Sequence, residues 1–265
     1  MARLQEEKSL HKIILKAANI CHSFGGLMAL KDVDFAIKSG EIVGLIGPNG
    51  AGKTTLFNLF TGHYAPTRGE ILFNNLRISG LKPYQITPLG IARTFQNIRL
   101  FGQMSVLDNV LTGQHCRTRT GLFGAIIRTR SSKKEESRAH KTAQEMLHFV
   151  NLGDKKNEYA SNLSYGERRR LEIARALATD PTLLLLDEPA AGMNPQETAD
   201  LIELIRQIRV KMDKTILLIE HDMKVVMGIS ERVAVLNYGR KIAEGTPGEV
   251  QKNEAVIKAY LGESA

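Results

Sequence analysis

Gly47-Pro48-Asn49-Gly50-Ala51-Gly52-Lys53-Thr54 separates an apolar strand, Ile42 to Ile46, from Lys53 to Phe60, where apolar residues take helical spacing. This is the phosphate-binding loop pattern in the setting its chemistry needs. Its glycines let the backbone curl until successive N–H groups face a phosphate chain, and the helix N-terminus adds its dipole. Lys53 would reach the β- and γ-phosphates, and the Thr54 hydroxyl would take one Mg²⁺ position. A strand, this loop and a helix in succession commit the chain to a parallel α/β sheet.

The second half fits that commitment, because strand runs alternate with amphipathic helices from Pro181 onward. Leu183 to Leu186 reads as a buried strand ending in Asp187 and Glu188. Alone, such a run serves structure as readily as chemistry. Beside a phosphate loop it reads as a Mg²⁺ site with an adjacent base: Asp187 holds the metal through water and Glu188 polarises the attacking water. The following helix starts at a capping box, with Asn194 as N-cap, Pro195 first and Glu197 third. Leu201, Leu204, Ile205, Ile208 and Met212 share one of its faces.

Leu163-Ser164-Tyr165-Gly166-Glu167 predicts another helix start, with Ser164 as cap, Glu167 closing the box and Gly166 leaving backbone accessible. It would make a second anion site. One γ-phosphate does not need two such sites in one subunit, so the pattern suggests two subunits sharing nucleotides.

Upstream, short strands are expected at Ile13 to Ile20 and Val33 to Ile37, then a Lys38-Ser39-Gly40 turn and Glu41 to Ile46. Residues 104–162 have a helical pattern, interrupted by Gly121 to Gly124 and a polar Arg128 to Ser137 run, and read as an inserted helical subdomain. Glu249 to Leu261 reads as one amphipathic helix carrying Val250, Val256, Ile257 and Leu261.

Composition limits the function classes. With 265 residues, 43% hydrophobic and 24% charged, the chain can bury a sizeable core, which excludes a disordered or fibrous protein. A net charge of +8 points to nucleic acid, anionic lipid or phosphorylated ligands. Much of it sits at Arg117, Arg119, Arg128, Arg130, Lys133, Lys134, Arg138 and Lys141, against Glu135 and Glu136. These residues flank an apolar patch of Leu122, Phe123, Ala125, Ile126 and Ile127, and read either as a solvated helical face or as a segment near an anionic membrane surface. Cys21 and Cys116 lack zinc-ligand spacing and fit a reducing compartment. Met1 to Lys16 has no continuous apolar core of a signal peptide, and no run approaches the roughly 20 residues of a membrane span. Any membrane link is therefore expected to run through a partner.

The phosphate loop, the Leu-Ser-x-Gly-Glu segment, the Asp-Glu strand end, Gln96 in Arg93-Thr94-Phe95-Gln96-Asn97 and His221 in Leu218-Ile219-Glu220-His221-Asp222 follow the order and spacing of ABC transporter ATPase subunits. The chain resembles that family over nearly its whole length. Within it, the chain looks most like the ATP-binding subunits of branched-chain amino-acid importers of the LivG type. Arg93 to Met104, Gly121 to Gly124, Glu188 to Pro195, Ile219 to Ser230 and Ala259 to Glu263 carry that likeness.

The resemblance implies a single ABC ATPase domain: a RecA-like P-loop core with an N-terminal antiparallel β subdomain (12–103 and 163–248), an inserted α-helical subdomain (104–162) and a C-terminal helix (249–265). Phe24 would stack on adenine, and Gly47 through Thr54, with Thr55, would bind ATP. Gln96 would contact Mg²⁺ and the attacking water and sense the transmembrane partner. His221 would hydrogen-bond the γ-phosphate. Ser164, Tyr165, Gly166 and Glu167 would meet the ATP of a second ATPase subunit, in a homo- or heterodimer. The further implied partners are permease subunits at the cytoplasmic side of the inner membrane and, indirectly, a periplasmic binding protein.

Three positions depart from the common family pattern: Tyr165 where many members have glycine, Glu167 in place of glutamine, and Asn194 in place of aspartate. Other cargoes, such as urea, amides or exported lipopolysaccharide, stay open because cargo selection lies in other subunits. A non-transport ABC ATPase acting on DNA or the ribosome generally has a long coiled coil or two cassettes in one chain. Neither is found, so nucleic acid is not an expected partner.

Overall fold

The computed structural model describes residues 12–117 and 130–261. The chain starts with a long hairpin, β1 (Ile13–Phe24) and β2 (Leu27–Lys38), whose Phe24 and Leu27 pair across Gly25-Gly26. Both strands run well past the limits expected from sequence. At the tip Leu27 and Met28 are 70% and 51% exposed and the register shifts repeatedly, so no inward alternation marks these residues as strand. β4 (Arg68–Phe73) and β5 (Leu76–Arg77) complete an antiparallel sheet of order β2-β1-β4-β5.

Between these hairpins lie β3 (Ile42–Ile46), the loop, and α1 (Lys53–Phe60), as the motif predicts. The short α2 (Pro83–Ile86) leads to β6 (Ile91–Arg93). Then come α3 (Val106–Gln114), α4 (Arg130–Phe149) and α5 (Tyr165–Leu177). The rest alternates: β7 (Leu183–Asp187), α6 (Pro195–Met212), β8 (Thr215–Ile219), α7 (Met223–Ile229), β9 (Arg232–Asn237) and β10 (Arg240–Gly245). The second sheet has the order β10-β9-β3-β8-β7-β6 and is parallel except for the antiparallel edge strand β10.

β3, β7 and β8 are buried along their entire lengths, as apolar strands covered on both faces must be. Their side chains alternate between two cores. Val43, Leu45, Leu183, Leu185, Leu217 and Ile219 join the antiparallel sheet and α1. Ile42, Leu184, Leu186, Ile216 and Leu218 join α3, α4, α5 and α6. The phosphate loop thus leaves the C-terminal end of a central strand clamped on both faces.

The expected C-terminal helix is two helices, α8 (Pro247–Gln251) and α9 (Glu254–Leu261). Asn253 divides them: its Oδ1 accepts from the N–H groups of Ala255 and Val256 at 3.0 and 3.3 Å, which caps a new start. Val250 and Val256 pack in a third cluster with Ile46, the residue before the phosphate loop. The apolar patch at 122–127, with Arg119 and Arg128, lies outside the described residues. Arg117 turns onto the protein, donating to the carbonyls of Thr179, Pro88 and Asp180 at 2.7, 3.1 and 3.0 Å.

Candidate active site

β3 delivers Gly47 with φ 151°, where a Cβ would lie 2.1 Å from the Leu236 carbonyl oxygen. The close passage of the loop beneath β9 therefore requires glycine. Lys53, 8% exposed, donates to the carbonyls of Gly47 and Pro48 at 2.7 and 2.9 Å. Burial lowers its ammonium pKa, while Glu188 and Asp187 act in the opposite direction. Asn49 to Thr55 line an open cleft together with Phe24, Gln96 and Glu188, so most of the expected nucleotide contacts share one surface.

Phe24 belongs to an aromatic group that sequence reasoning missed. Its ring meets His22 and Tyr64 edge-on, at centroid distances of 4.6 and 5.1 Å, and His22 stacks on Tyr64. The Ala65 carbonyl lies 3.0 Å from His22 Nδ1 and can only accept, which places a proton on that nitrogen. Leu27, Met28 and Tyr238 also line the cleft without any local sequence signal.

The two acids at the end of β7 have different surroundings. Asp187 is 3% exposed and accepts from Arg93 Nη2 at 2.6 Å. Arg93 also donates to Asn58 at 2.7 Å. Glu188 turns out of the strand with φ 46°, its N–H donating to the Ile219 carbonyl at 2.9 Å. Its Oε2 accepts from Gln96 Nε2 at 2.9 Å and lies 3.7 Å from His221 Nδ1. The structure thereby gathers Gln96, Glu188 and His221, residues far apart in the chain. Glu220, beside His221, is 1% exposed and accepts from the Ala190 N–H at 2.8 Å.

Ser164 caps α5 as expected, accepting from the Glu167 N–H at 3.3 Å while Glu167 accepts from the Ser164 N–H at 3.0 Å. Lys155, 2.8 Å from Glu167, holds that carboxyl below its ordinary range. Gly166 differs from expectation. It is buried, and a Cβ would come 2.8 Å from Glu197 Oε1, so glycine here permits contact between the starts of α5 and α6. The Tyr165 ring faces Gly192 in the loop after Glu188. None of Ser164, Tyr165, Gly166 and Glu167 lines the cleft of this chain's own phosphate loop.

The loop at a central strand end, the cleft and the paired acids define a phosphate-loop nucleotide-hydrolysing domain. The ABC transporter family profile matches residues 30–191, and a profile for branched-chain amino acid ATP-binding cassette transporters matches residues 240–265. The chain is 49% identical to the high-affinity branched-chain amino acid transport ATP-binding protein LivG of Escherichia coli, over 95% of this chain and 98% of that protein. It is 46% identical to BraF of Pseudomonas aeruginosa, with the same coverage. It is also similar to the ADP conformation of an ATP-binding cassette of an ABC transporter, at a TM-score of 0.82 and 32% identity, over 95% of this chain and 100% of that one. The chain belongs to the ABC transporter family as an ATP-binding, ATP-hydrolysing subunit.

Proposed function

We propose that this subunit hydrolyses ATP to energise import of branched-chain amino acids through permease subunits, from the cytoplasmic face of the membrane. The observation that carries the hydrolytic reading is the Glu188 carboxylate held by Gln96 at 2.9 Å on the wall of the cleft that the phosphate loop lines. Glu188 is the base for the attacking water, Gln96 orients both, and His221 reaches toward the γ-phosphate. Phe24 stacks on adenine, while Lys53 and the first N–H groups of α1 grip the phosphates.

Thr54, Gln96 and Asp187 offer hard oxygen donors, the chemistry that Mg²⁺ selects. Bound there, Mg²⁺ would neutralise charge developing on the β- and γ-oxygens.

Because Ser164 to Glu167 stand away from their own cleft, a second ATPase subunit would complete each site, two ATP being clamped head to tail. ATP bridging both subunits supplies the differential contact that closes the pair, and hydrolysis releases it. The LivG and BraF relatives, named for branched-chain amino acid transport, support the cargo; a periplasmic binding protein would deliver it.

Glu188→Gln should bind ATP normally yet lose turnover, and normal hydrolysis would refute the base assignment. In vesicles holding the assembled transporter, ATP-dependent uptake of leucine, isoleucine and valine tests the cargo; uptake of urea or amides alone would replace it.

A further inference from the structure

A buried ion pair on α5 grips the backbone that carries Gln96. Arg169 is 0% and Glu172 1% exposed, with Nη1 of Arg169 2.8 Å from Glu172 Oε2. The same Nη1 donates to the Phe95 carbonyl at 2.7 Å, and Nη2 donates to the Gln96 carbonyl at 3.0 Å. Glu172 accepts through Oε1 from the N–H groups of Phe95 and Arg99, at 3.3 and 3.4 Å. Residues 95–99 follow the end of β6 and belong to no helix or strand, so this pair supplies hydrogen bonds a regular element would otherwise provide.

Two buried charges are an expensive way to fill a core, since an apolar pair of the same volume is often at least as stable. What the pair adds is direction. The planar guanidinium fork holds the Phe95 and Gln96 carbonyls in a fixed relative direction, which the rotating donors of an ammonium do not impose and an apolar chain does not offer. The residue whose carbonyl is held, Gln96, is also the one whose carboxamide reaches Glu188 at 2.9 Å. Arg99, at the far end of the gripped segment, lies 4.2 Å from the Phe95 ring centroid, and Arg93 lies 5.1 Å from it.

We infer that Arg169 and Glu172 are positioning residues for hydrolysis: they set the Gln96 carboxamide against Glu188. The pair sits on the helix that Ser164 caps, so displacement of that helix start by a partner subunit's nucleotide would be passed to Gln96 of the same chain. This inference rests on the proposed roles of Gln96 and Glu188.

The test uses the full chain with Arg169→Met and Glu172→Met combined, which removes both members of the buried pair. ATP affinity, read with a fluorescent ATP analogue, should stay within about 3-fold, while kcat should fall about 10- to 100-fold, as misplacement of a reacting group does. In a Gln96→Ala background the same pair of changes should cost kcat nothing further. Arg169→Lys, which keeps the charge but loses the fork, should give an intermediate kcat and keeps the question answerable if the double variant fails to fold. Wild-type kcat in a folded variant, or an equal loss in the Gln96→Ala background, would overturn the positioning role. Undiminished turnover in Gln96→Ala itself would instead overturn the reading on which it rests.

Discussion

The guanidinium of Arg93 and the carboxylate of Asp187 meet at 2.6 Å with side chains only 6% and 5% exposed, linking the edge strand β6 to the end of β7. Removing one partner strands the other charge. Arg93→Met should cost about 3–5 kcal/mol in denaturant unfolding, far more than a surface arginine. Combining it with Asp187→Asn should cost less than the sum of the two single changes; strict additivity would mean that the pair is not coupled.

Glu220 contributes a pH dependence. Burial raises its carboxyl pKa, countered by the Ala190 N–H, and its Oε2 has no hydrogen-bond partner among the described residues. A raised folded value means the folded state holds the proton longer. The stability contribution is therefore fully present below the ordinary glutamate value and is lost as pH rises through the folded one. Glu220→Gln keeps an acceptor for Ala190 and removes the charge. Its melting temperature should exceed that of the unchanged protein by at least about 2 °C at pH 7.5. The gap should close toward pH 4.5, and a gap independent of pH would rule out titration of Glu220 as the cause.

Phe24 is 43% exposed at the cleft yet fixed by His22 and Tyr64 behind it. Loss of an aromatic platform for a base costs about 1–3 kcal/mol. Phe24→Ala should thus raise the KM for ATP at least about 5-fold with kcat nearly unchanged. Phe24→Tyr should restore it, and equal KM values for ATP and a base-free triphosphate in the unchanged protein would contradict stacking.

Gly166→Ala separates packing from function. The added methyl meets the end of Glu197, a side chain that caps its own helix by accepting from the Asn194 N–H at 3.0 Å. Since that end can swing away, the fold should lose only about 1 kcal/mol, the size of one cap. In a Glu197→Ala background the loss should vanish, and a persistent penalty would place the clash in the backbone.

What the sequence reveals here depends on how local each determinant is. The phosphate loop, the apolar strand of β7 and the Asn194 cap are defined within a few consecutive residues, and each stands where the pattern predicts. The partners of Asp187 and Gln96 are not local: Arg93 is 94 positions from Asp187, and Arg169 is 73 from Gln96. An arginine inside a helix ordinarily reads as solvent-facing, and only the folded sheet shows that Arg169 faces inward. The hairpin tip escaped because its apolar residues are exposed, and the break between α8 and α9 because a single Asn253 makes it. The cleft gathers Phe24, the loop and Glu188, while the Ser164 segment stands apart from it, which spacing alone suggested but could not locate.

Lys53 ties its own loop together. An ammonium has three protons, and two of them already hold the Gly47 and Pro48 carbonyls. The loop is thus internally braced by the same group proposed to meet phosphate. A nucleotide would encounter a cradle whose conformational freedom is largely gone, so little entropy is lost in forming the complex. On the proposed reading, the placement of the phosphates would then be set by a loop whose shape its own lysine holds.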